Sequence, residues 1–239
     1  MAVAADSRFL ELMIDRGYVS GPVLEIGSRD WQDGAGNMAP MVRGRGLSWE
    51  GCDLESGPGV DFTIDILDDE AVGSLGQTWR TVLLFNLLEH VYDPAAALRN
   101  ALELVESGGS CVVCGPAVWE LHQFPRDYWR PLPDFFREFA ERHDYHVPDD
   151  GMAWVLNEWP YVPGRPPRVR IIPLHDLMES GRMQLPSRLT ARSVWGPVRS
   201  TVSTVLQRVL NLTGRVNRFP NVGLGVVLRK PSRSVDPLR

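Results

Sequence analysis

The chain has few of the features that mark secreted, metal-binding or membrane-spanning proteins. Only three of its 239 residues are cysteines, and its first 20 residues carry charges instead of an apolar signal sequence. An odd cysteine count in such a chain predicts no disulfide framework. No apolar run reaches the roughly 18 residues that a membrane-spanning helix needs. These absences predict a cytoplasmic protein.

The cysteines themselves do not indicate a metal or redox site. Cys111 and Cys114 have the C-x-x-C spacing, but both fall in a predicted strand. Side chains three positions apart in a strand point to opposite faces of the sheet. We therefore expect Cys52, Cys111 and Cys114 to be small buried side chains.

Lysine is almost absent, and the arginines are unevenly distributed. Lys230 is the single lysine. Residues 158–219 contain ten arginines and three acidic residues, a local charge of +7, whereas the rest of the chain carries −12. This asymmetry marks 158–219 as a segment with its own role.

Glycine is scarce at the first turn, where a dinucleotide fingerprint would need three. Only Gly27 follows the apolar segment 23–26, which argues against a pyrophosphate ligand. A second apolar segment ends at Asp53, 26 residues after Gly27. An acid near that spacing can bind ribose hydroxyls beyond the ends of parallel strands, although Gly27 alone is equally compatible with a plain strand-to-helix turn.

Alternating strands and helices predict an α/β fold with a doubly wound, mostly parallel seven-stranded sheet. Asp93 and Pro94 have the residue types of a helix cap and first helical position, and that helix is predicted to run to about Ser107. An opening helix is predicted to bury Phe9, Leu10, Met13 and Ile14 and to end near Gly17. Further strands are predicted at 23–26, 51–54, 60–65, 81–86, 110–116, 145–156 and 221–229, with a helix at 135–145.

Segment 158–219 is predicted to be an arginine-rich, helical insertion before the last strand. It begins with prolines, and seven apolar residues from Trp195 to Val216 then repeat at alternating spacings of three and four, which forms one helical stripe. Three roles for this stripe remain open: a lid on the parent domain, a contact between the subunits of a homodimer, or weak contact with a membrane surface. The chain is accordingly expected to be a monomer or a homodimer. The expected domains are 1–157 with 220–232, the insertion 158–219, and a tail 233–239.

Four motifs in the expected order carry a resemblance to a known family. They are LEIGSR at 24–29, an acidic strand end followed by GPGVD at 51–61, EHVYDP at 89–94 and PRDYWR at 125–130. Over roughly residues 20–145 the chain resembles the class I, Rossmann-like S-adenosylmethionine-dependent methyltransferases, in particular their bacterial small-molecule and sugar branch.

The resemblance implies S-adenosylmethionine as cofactor and a role for each matching residue. Glu25 and Gly27 would lie at its methionine end and Asp53 at its ribose. Asp65 and Ile66 would lie at the adenine, and Asn86 and Leu87 beside the sulfonium. Ser28 and Leu54 complete the implied cofactor site.

Methyl transfer to a hydroxyl needs a base that takes the proton. His122 and His90 are candidate bases, and Glu89 or Asp127 could orient an imidazole. A divalent metal such as Mg²⁺ held by His122, Asp127 and Glu89 is a less favoured alternative. A second alternative is structural, with Asp127 paired to Arg130 and the neighbouring aromatic side chains packed inward.

The sequence thus predicts an O-methyltransferase of a small molecule or glycan, with a saccharide preferred because the rim is rich in Trp, Tyr, Asp, Arg and His. Nucleic-acid methylation is the first rival. It is disfavoured by the net charge of −5 and by Asn86-Leu87-Leu88-Glu89 at a position where base-amino methylases usually carry Asn/Asp-Pro-Pro-aromatic. A catalytically silent binding module is the second rival.

Overall fold

A computed structural model describes residues 4–30, 36–119, 121, 126–158, 168–174 and 222–232. Eight strands form one sheet in the order β3-β2-β1-β4-β5-β8-β6-β7. β1 to β5 are parallel, whereas β8 is antiparallel to both β5 and β6, and β7 is antiparallel to β6. The strands are β1 Val23–Ile26, β2 Trp49–Asp53, β3 Phe62–Thr63, β4 Trp79–Phe85, β5 Val105–Val118, β6 Met152–Glu158, β7 Arg168–Pro173 and β8 Val222–Arg229.

Helices cover both faces of the sheet. They are α1 Ala4–Asp15, α2 Ala39–Gly44, α3 Asp69–Ser74, α4 Pro94–Glu103 and α5 Pro133–Arg142, and a 3₁₀ turn spans Leu88–His90. α1 and α2 pack on one face, and α3, α4 and α5 on the other. This is the predicted doubly wound α/β architecture, with one more strand than expected.

Alternation along the strands supplies the two cores. Val82 and Leu84 of β4 face α4, whereas Leu83 and Phe85 face α1. Cys111 and Cys114 of β5 likewise lie on opposite faces of the sheet, and all three cysteines are free and buried. Burial raises the pKa of each thiol. The prediction that they are small buried side chains is confirmed.

Local sequence signals predicted the buried face of α1 and the start of α4 correctly, but the end of α4 wrongly. α1 buries Phe9, Leu10 and Met13, and Asp93 caps α4 by accepting from the Ala96 N–H at 2.9 Å. α4 ends at Glu103 rather than near Ser107. The reason is tertiary, because the chain re-enters the sheet at Val105, which pairs with Trp79 of β4.

A strand that was not predicted forms within the first part of the predicted insertion. Arg168–Pro173 forms β7 at the edge of the sheet, paired with β6 from Ala153 to Glu158. Prolines on both sides hid its short apolar pattern, and edge strands tolerate such flanking prolines. Residues 175–221, which include the predicted apolar stripe, lie outside the described residues. No helix in the described part is both long enough and apolar enough to cross a membrane.

Candidate active site

The carboxyl ends of three neighbouring strands meet at one edge of the sheet. Ile26 at the end of β1 is in register with Cys52 of β2 and Leu84 of β4. Gly27 and Asp53 come directly after Ile26 and Cys52, and Asn86 lies two positions after Leu84, so all three lie at the same edge. In open α/β sheets this edge is where ligands bind.

Gly27 occupies a position that only glycine fits well. Its φ is +82°, in the left-handed region, and its N–H donates to the Cys52 carbonyl at 2.8 Å. A Cβ added there would lie 3.1 Å from Leu87 Cδ1. The structure thus brings two of the predicted cofactor residues, Gly27 and Leu87, into contact range.

Asp53 is held in place at the tip of β2. Its Oδ2 accepts from the Arg29 N–H at 3.0 Å and its Oδ1 from the Glu55 N–H at 3.3 Å. A carboxylate has about four acceptor sites, so these two bonds orient the group and leave it capacity for hydroxyl donors. The next residue, Leu54, is 64% exposed and gives this rim an apolar surface.

The side chain of Ser28 has a structural role. The residue is fully buried, and its hydroxyl lies 2.7 Å from the Gly59 carbonyl and 3.2 Å from that of Cys52. A Cβ on Gly51 would lie 1.9 Å from the same Gly59 carbonyl, so the 57–61 loop packs directly on β2. The Ser28 side chain therefore holds this loop and is turned away from the rim.

Glu25 lies below the site rather than at its surface. It is 2% exposed, and one carboxylate oxygen accepts both from the Met38 N–H and from the Trp49 indole N–H, each at 2.9 Å. Burial raises its pKa to about 7, although both hydrogen bonds act in the opposite direction. Glu25 thereby ties β1 to β2 and to the start of α2.

The two residues expected at the adenine lie side by side after β3. Asp65 is exposed, and its Oδ1 accepts from the Leu67 N–H at 2.9 Å. Ile66 is 7% exposed, and its carbonyl accepts from Asn100 of α4 at 2.8 Å. Both contacts fix the backbone of this corner.

Asn86 has a partner that the sequence analysis missed. Its φ is +49°, its N–H donates to the Cys114 carbonyl at 2.8 Å, and its side-chain amide donates to Asp6 Oδ2 of α1 at 2.8 Å. Asp6 shares the buried face of α1 with Leu10 and Met13. A charged residue on an otherwise apolar helix face was the signal that could have identified it.

Glu89 and His90 sit in the 3₁₀ turn after β4. Glu89 is 1% exposed, and its Oε1 has no hydrogen-bond partner among the described residues. His90 Nε2 lies 3.8 Å from that oxygen, which is an ion-pair distance and too long for a hydrogen bond. The pKa of Glu89 is raised to about 7, chiefly by burial and also by Asp6 and Asp127, although its own N–H and Arg130 lower it.

The imidazole of His90 is oriented by the backbone. Its Nδ1 lies 2.5 Å from the Arg126 carbonyl oxygen, which can only accept. Nδ1 therefore carries the proton, and Nε2 is left as an acceptor on the Glu89 side.

Asp127 forms an ion pair with Arg130. Its side chain is 1% exposed, and both carboxylate oxygens accept from the guanidinium, one of them at 2.6 Å. The pairing of Asp127 with Arg130 in the structural alternative is confirmed. His122 lies outside the described residues. Within the described ranges, no three His, Cys, Asp or Glu side chains form a group that could hold a metal ion.

Aromatic side chains form an exposed surface next to Glu89. Tyr92, Tyr128 and Trp129 are 74%, 40% and 47% exposed, so they do not pack inward as the structural alternative assumed. Tyr92 and Tyr128 make an edge-on contact at 5.8 Å, and the Trp129 indole donates to the Tyr92 carbonyl at 2.9 Å. The Tyr128 N–H donates to the Glu89 carbonyl at 2.7 Å, which ties this aromatic surface to the buried acid.

Comparison with known proteins identifies the fold. No family model matches the chain. Two solved structures superpose with a TM-score of 0.51: the MccD protein, 12% identical, covering 96% of this chain and 100% of its own, and a proposed methyltransferase of Bacillus halodurans, 11% identical, covering 94% and 99%. At these identities the likeness establishes the fold alone.

Two O-methyltransferases are similar to the chain in sequence. The chain is 29% identical over 159 residues to a ubiquinone biosynthesis O-methyltransferase of Xanthomonas euvesicatoria and 28% identical to that of Xanthomonas axonopodis. Each match covers 64% of this chain and 62% of the relative. The chain therefore spans less than two thirds of the length of these relatives.

Proposed function

Because the chain has the fold of the class I S-adenosylmethionine-dependent methyltransferases, we propose that it is an O-methyltransferase acting on a hydroxylated small molecule. The observation that carries the proposal is the convergence at one sheet edge of Gly27, Asp53 and Asn86 beside the buried acid Glu89. The O-methyltransferase relatives support oxygen as the acceptor atom.

The residues at this edge fit the cofactor. Asp53 is oriented with acceptor capacity for two ribose hydroxyls, and the exposed Leu54 beside it offers an apolar contact for the adenine. The left-handed turn at Gly27 brings backbone close to the Leu87 side chain and suits the methionine end. Asn86 and Leu87 lie between these groups and Glu89.

When bound, S-adenosylmethionine supplies a methyl group on a positively charged sulfur, which keeps the bonding electron pair as the carbon–sulfur bond breaks. The chain has to remove the hydroxyl proton as the new carbon–oxygen bond forms. His90 Nε2 accepts that proton, since Nδ1 donates to the Arg126 carbonyl. The Glu89 carboxylate, 3.8 Å away, stabilises the resulting imidazolium.

The aromatic surface of Tyr92, Tyr128 and Trp129 is the candidate acceptor contact. It can stack against the face of a saccharide or of an aromatic ring. Neither reported O-methyltransferase relative is named for a saccharide, so the saccharide preference rests on this surface alone. Tests of the acceptor should include both classes.

Two measurements test the proposal. Calorimetry should detect binding of S-adenosylmethionine, and transfer of a labelled methyl group should follow with saccharide or phenol pools, assayed with and without Mg²⁺. Binding without transfer to any hydroxylated acceptor would favour the silent binding module. Absence of binding would rule out both readings, and transfer to RNA alone would favour the nucleic-acid alternative.

A further inference from the structure

Asp6 is a buried acid whose position is costly for stability. It is 4% exposed, on the face of α1 that also buries Phe9, Leu10 and Met13. A carboxylate buried in this way costs free energy unless hydrogen bonds compensate it. The Asn86 amide supplies one such hydrogen bond, and the first turn of α1 is a position that favours an acid.

The contacts of Asp6 reach the candidate active site. One oxygen accepts from the Asn86 amide at 2.8 Å, and the other lies 3.5 Å from Cys114 Sγ. Asn86 follows the last residue of β4, Cys114 lies opposite that last residue on β5, and the Asn86 N–H donates to the Cys114 carbonyl. The carboxylate is therefore one side chain away from the rim of the sheet.

The negative charge of Asp6 acts on two further groups near these strand positions. The Asp6 charge raises the pKa of both Cys114 and Glu89. Glu89 Oε1 is buried and has no hydrogen-bond partner in the described part of the chain. The nearby Arg130 is bound through both of its terminal nitrogens to Asp127. Two acids thus flank the ends of β4 and β5, from the α1 face and from the α5 face.

We propose that Asp6 selects the positively charged methyl donor over the neutral reaction product. This inference rests on the proposed function, which puts the sulfonium beside Asn86. The charge on sulfur is lost with the methyl group, whereas the ammonium and carboxylate of the methionine end are common to both ligands. A fixed negative charge near the sulfur therefore favours S-adenosylmethionine over S-adenosylhomocysteine. Asp6 acts through the electric field and through the position of Asn86, and it takes no part in the bond changes.

The test compares the affinities of the two ligands in Asp6→Asn. The amide keeps the size of the side chain and can still accept from Asn86, but it removes the charge. We expect the dissociation constant of S-adenosylmethionine to rise about tenfold, while that of S-adenosylhomocysteine changes by less than about twofold, both by calorimetry. Asp15→Asn, on the same helix in an exposed ion pair with Arg45, is the control and should change neither value.

A second variant covers the case in which Asp6→Asn does not fold. Combining Asp6→Asn with Asn86→Asp exchanges the two groups across the same hydrogen bond and returns the charge to the site. This exchange should restore the preference for S-adenosylmethionine to the wild-type value or above it. Equal weakening of both ligands by Asp6→Asn, or loss of the preference in the exchanged protein, would overturn the inference. Failure of wild-type protein to bind either ligand would instead refute the proposed function.

Discussion

Asp53 illustrates how one side chain links the β1 and β2 turns. Its carboxylate is anchored by the Arg29 and Glu55 backbones, so its direction is set before any ligand arrives. Preorganisation of this kind lowers the entropy cost of binding. The proposed ribose contact therefore depends on a group that the fold already holds.

Replacing Asp53 by Ala should weaken S-adenosylmethionine binding by roughly 1.5 to 3 kcal/mol, because hydrogen bonds to a charged acceptor are lost. Calorimetry measures the change directly. Glu103→Ala is the control, since it removes an exposed carboxylate at the end of α4, where the chain enters the opposite edge of the sheet. A dissociation constant that stays at the wild-type value in Asp53→Ala would contradict the ribose assignment.

Glu89 and His90 should be tested as a pair. Glu89→Gln and His90→Gln are each expected to lower turnover by about 10² to 10⁴ without loss of cofactor binding. The exposed His143→Gln is the control and should keep its activity. Near-normal turnover in both variants would show that proton removal depends on other groups.

The pH profile of wild-type turnover gives a second readout of the pair. The carboxylate of Glu89 must be ionised to stabilise the imidazolium, and its pKa is about 7. Turnover should therefore rise as pH increases through about 7. Burial raises this pKa most; among the charged groups that face Glu89, Arg130 lowers it and Asp6 and Asp127 raise it, and His90 Nε2 lies 3.8 Å from its Oε1. A profile that is flat from pH 6 to 8, the window around that pKa, would argue against an ionised Glu89.

Among the helices and strands, α1 packs closely against β8 through the aromatic ring of Phe9. A Cβ on Gly225 of β8 would lie 2.4 to 2.6 Å from three atoms of the Phe9 ring. Phe9 is fully buried, so the ring has no space to move aside. Glycine at 225 is therefore required by packing on α1.

Gly225→Ala should lower the free energy of unfolding by about 1 to 3 kcal/mol, as expected for overpacking in a filled core. Denaturant unfolding measures this cost. Combining it with Phe9→Leu, which removes the ring, should make the double variant more stable than the sum of the two single changes predicts. Gly73→Ala in α3 has open space around its Cβ and serves as the control. Strict additivity would show that Phe9 and Gly225 do not interact.

For the molecule as a whole, two buried acids make stability depend on pH. Burial raises the pKa of Glu25 and of Glu89 to about 7, from 4.5. The native state therefore binds more protons than the unfolded chain between these values. The stability contribution is fully present below pH 4.5 and is lost as pH rises through 7.

Glu25→Gln should make the unfolding free energy less dependent on pH. The shift in pKa corresponds to at most about 3 kcal/mol. Both hydrogen bonds to Glu25 reach one oxygen, so the glutamine carbonyl can accept them. Urea unfolding at about pH 5 and about pH 8, chosen to bracket the folded pKa, measures the effect, and the exposed Glu103→Gln is the control. An equal difference between the two pH values in wild type and Glu25→Gln would refute the prediction.

The sequence by itself determined that the first five strands alternate with helices in a parallel arrangement, and it determined most of their carboxyl ends. Apolar segments that end in Gly27, Asp53 and Asn86 recur between helical segments, and parallel strands that alternate with helices bring such ends to one edge. The cap at Asp93 and the buried face of α1 were likewise readable, because they depend on residues close in the chain.

Only the tertiary structure decided the contacts between distant segments. Asp6 meets Asn86 across 80 positions of sequence, and Glu25 accepts from Trp49 of the neighbouring strand. β7 forms because β6 offers a free edge, although the proline-rich sequence around it gives a weak strand signal. The local sequence pattern indicates which face of its helix or strand a side chain occupies. The partner and the pKa of that side chain depend on which elements pack against this face.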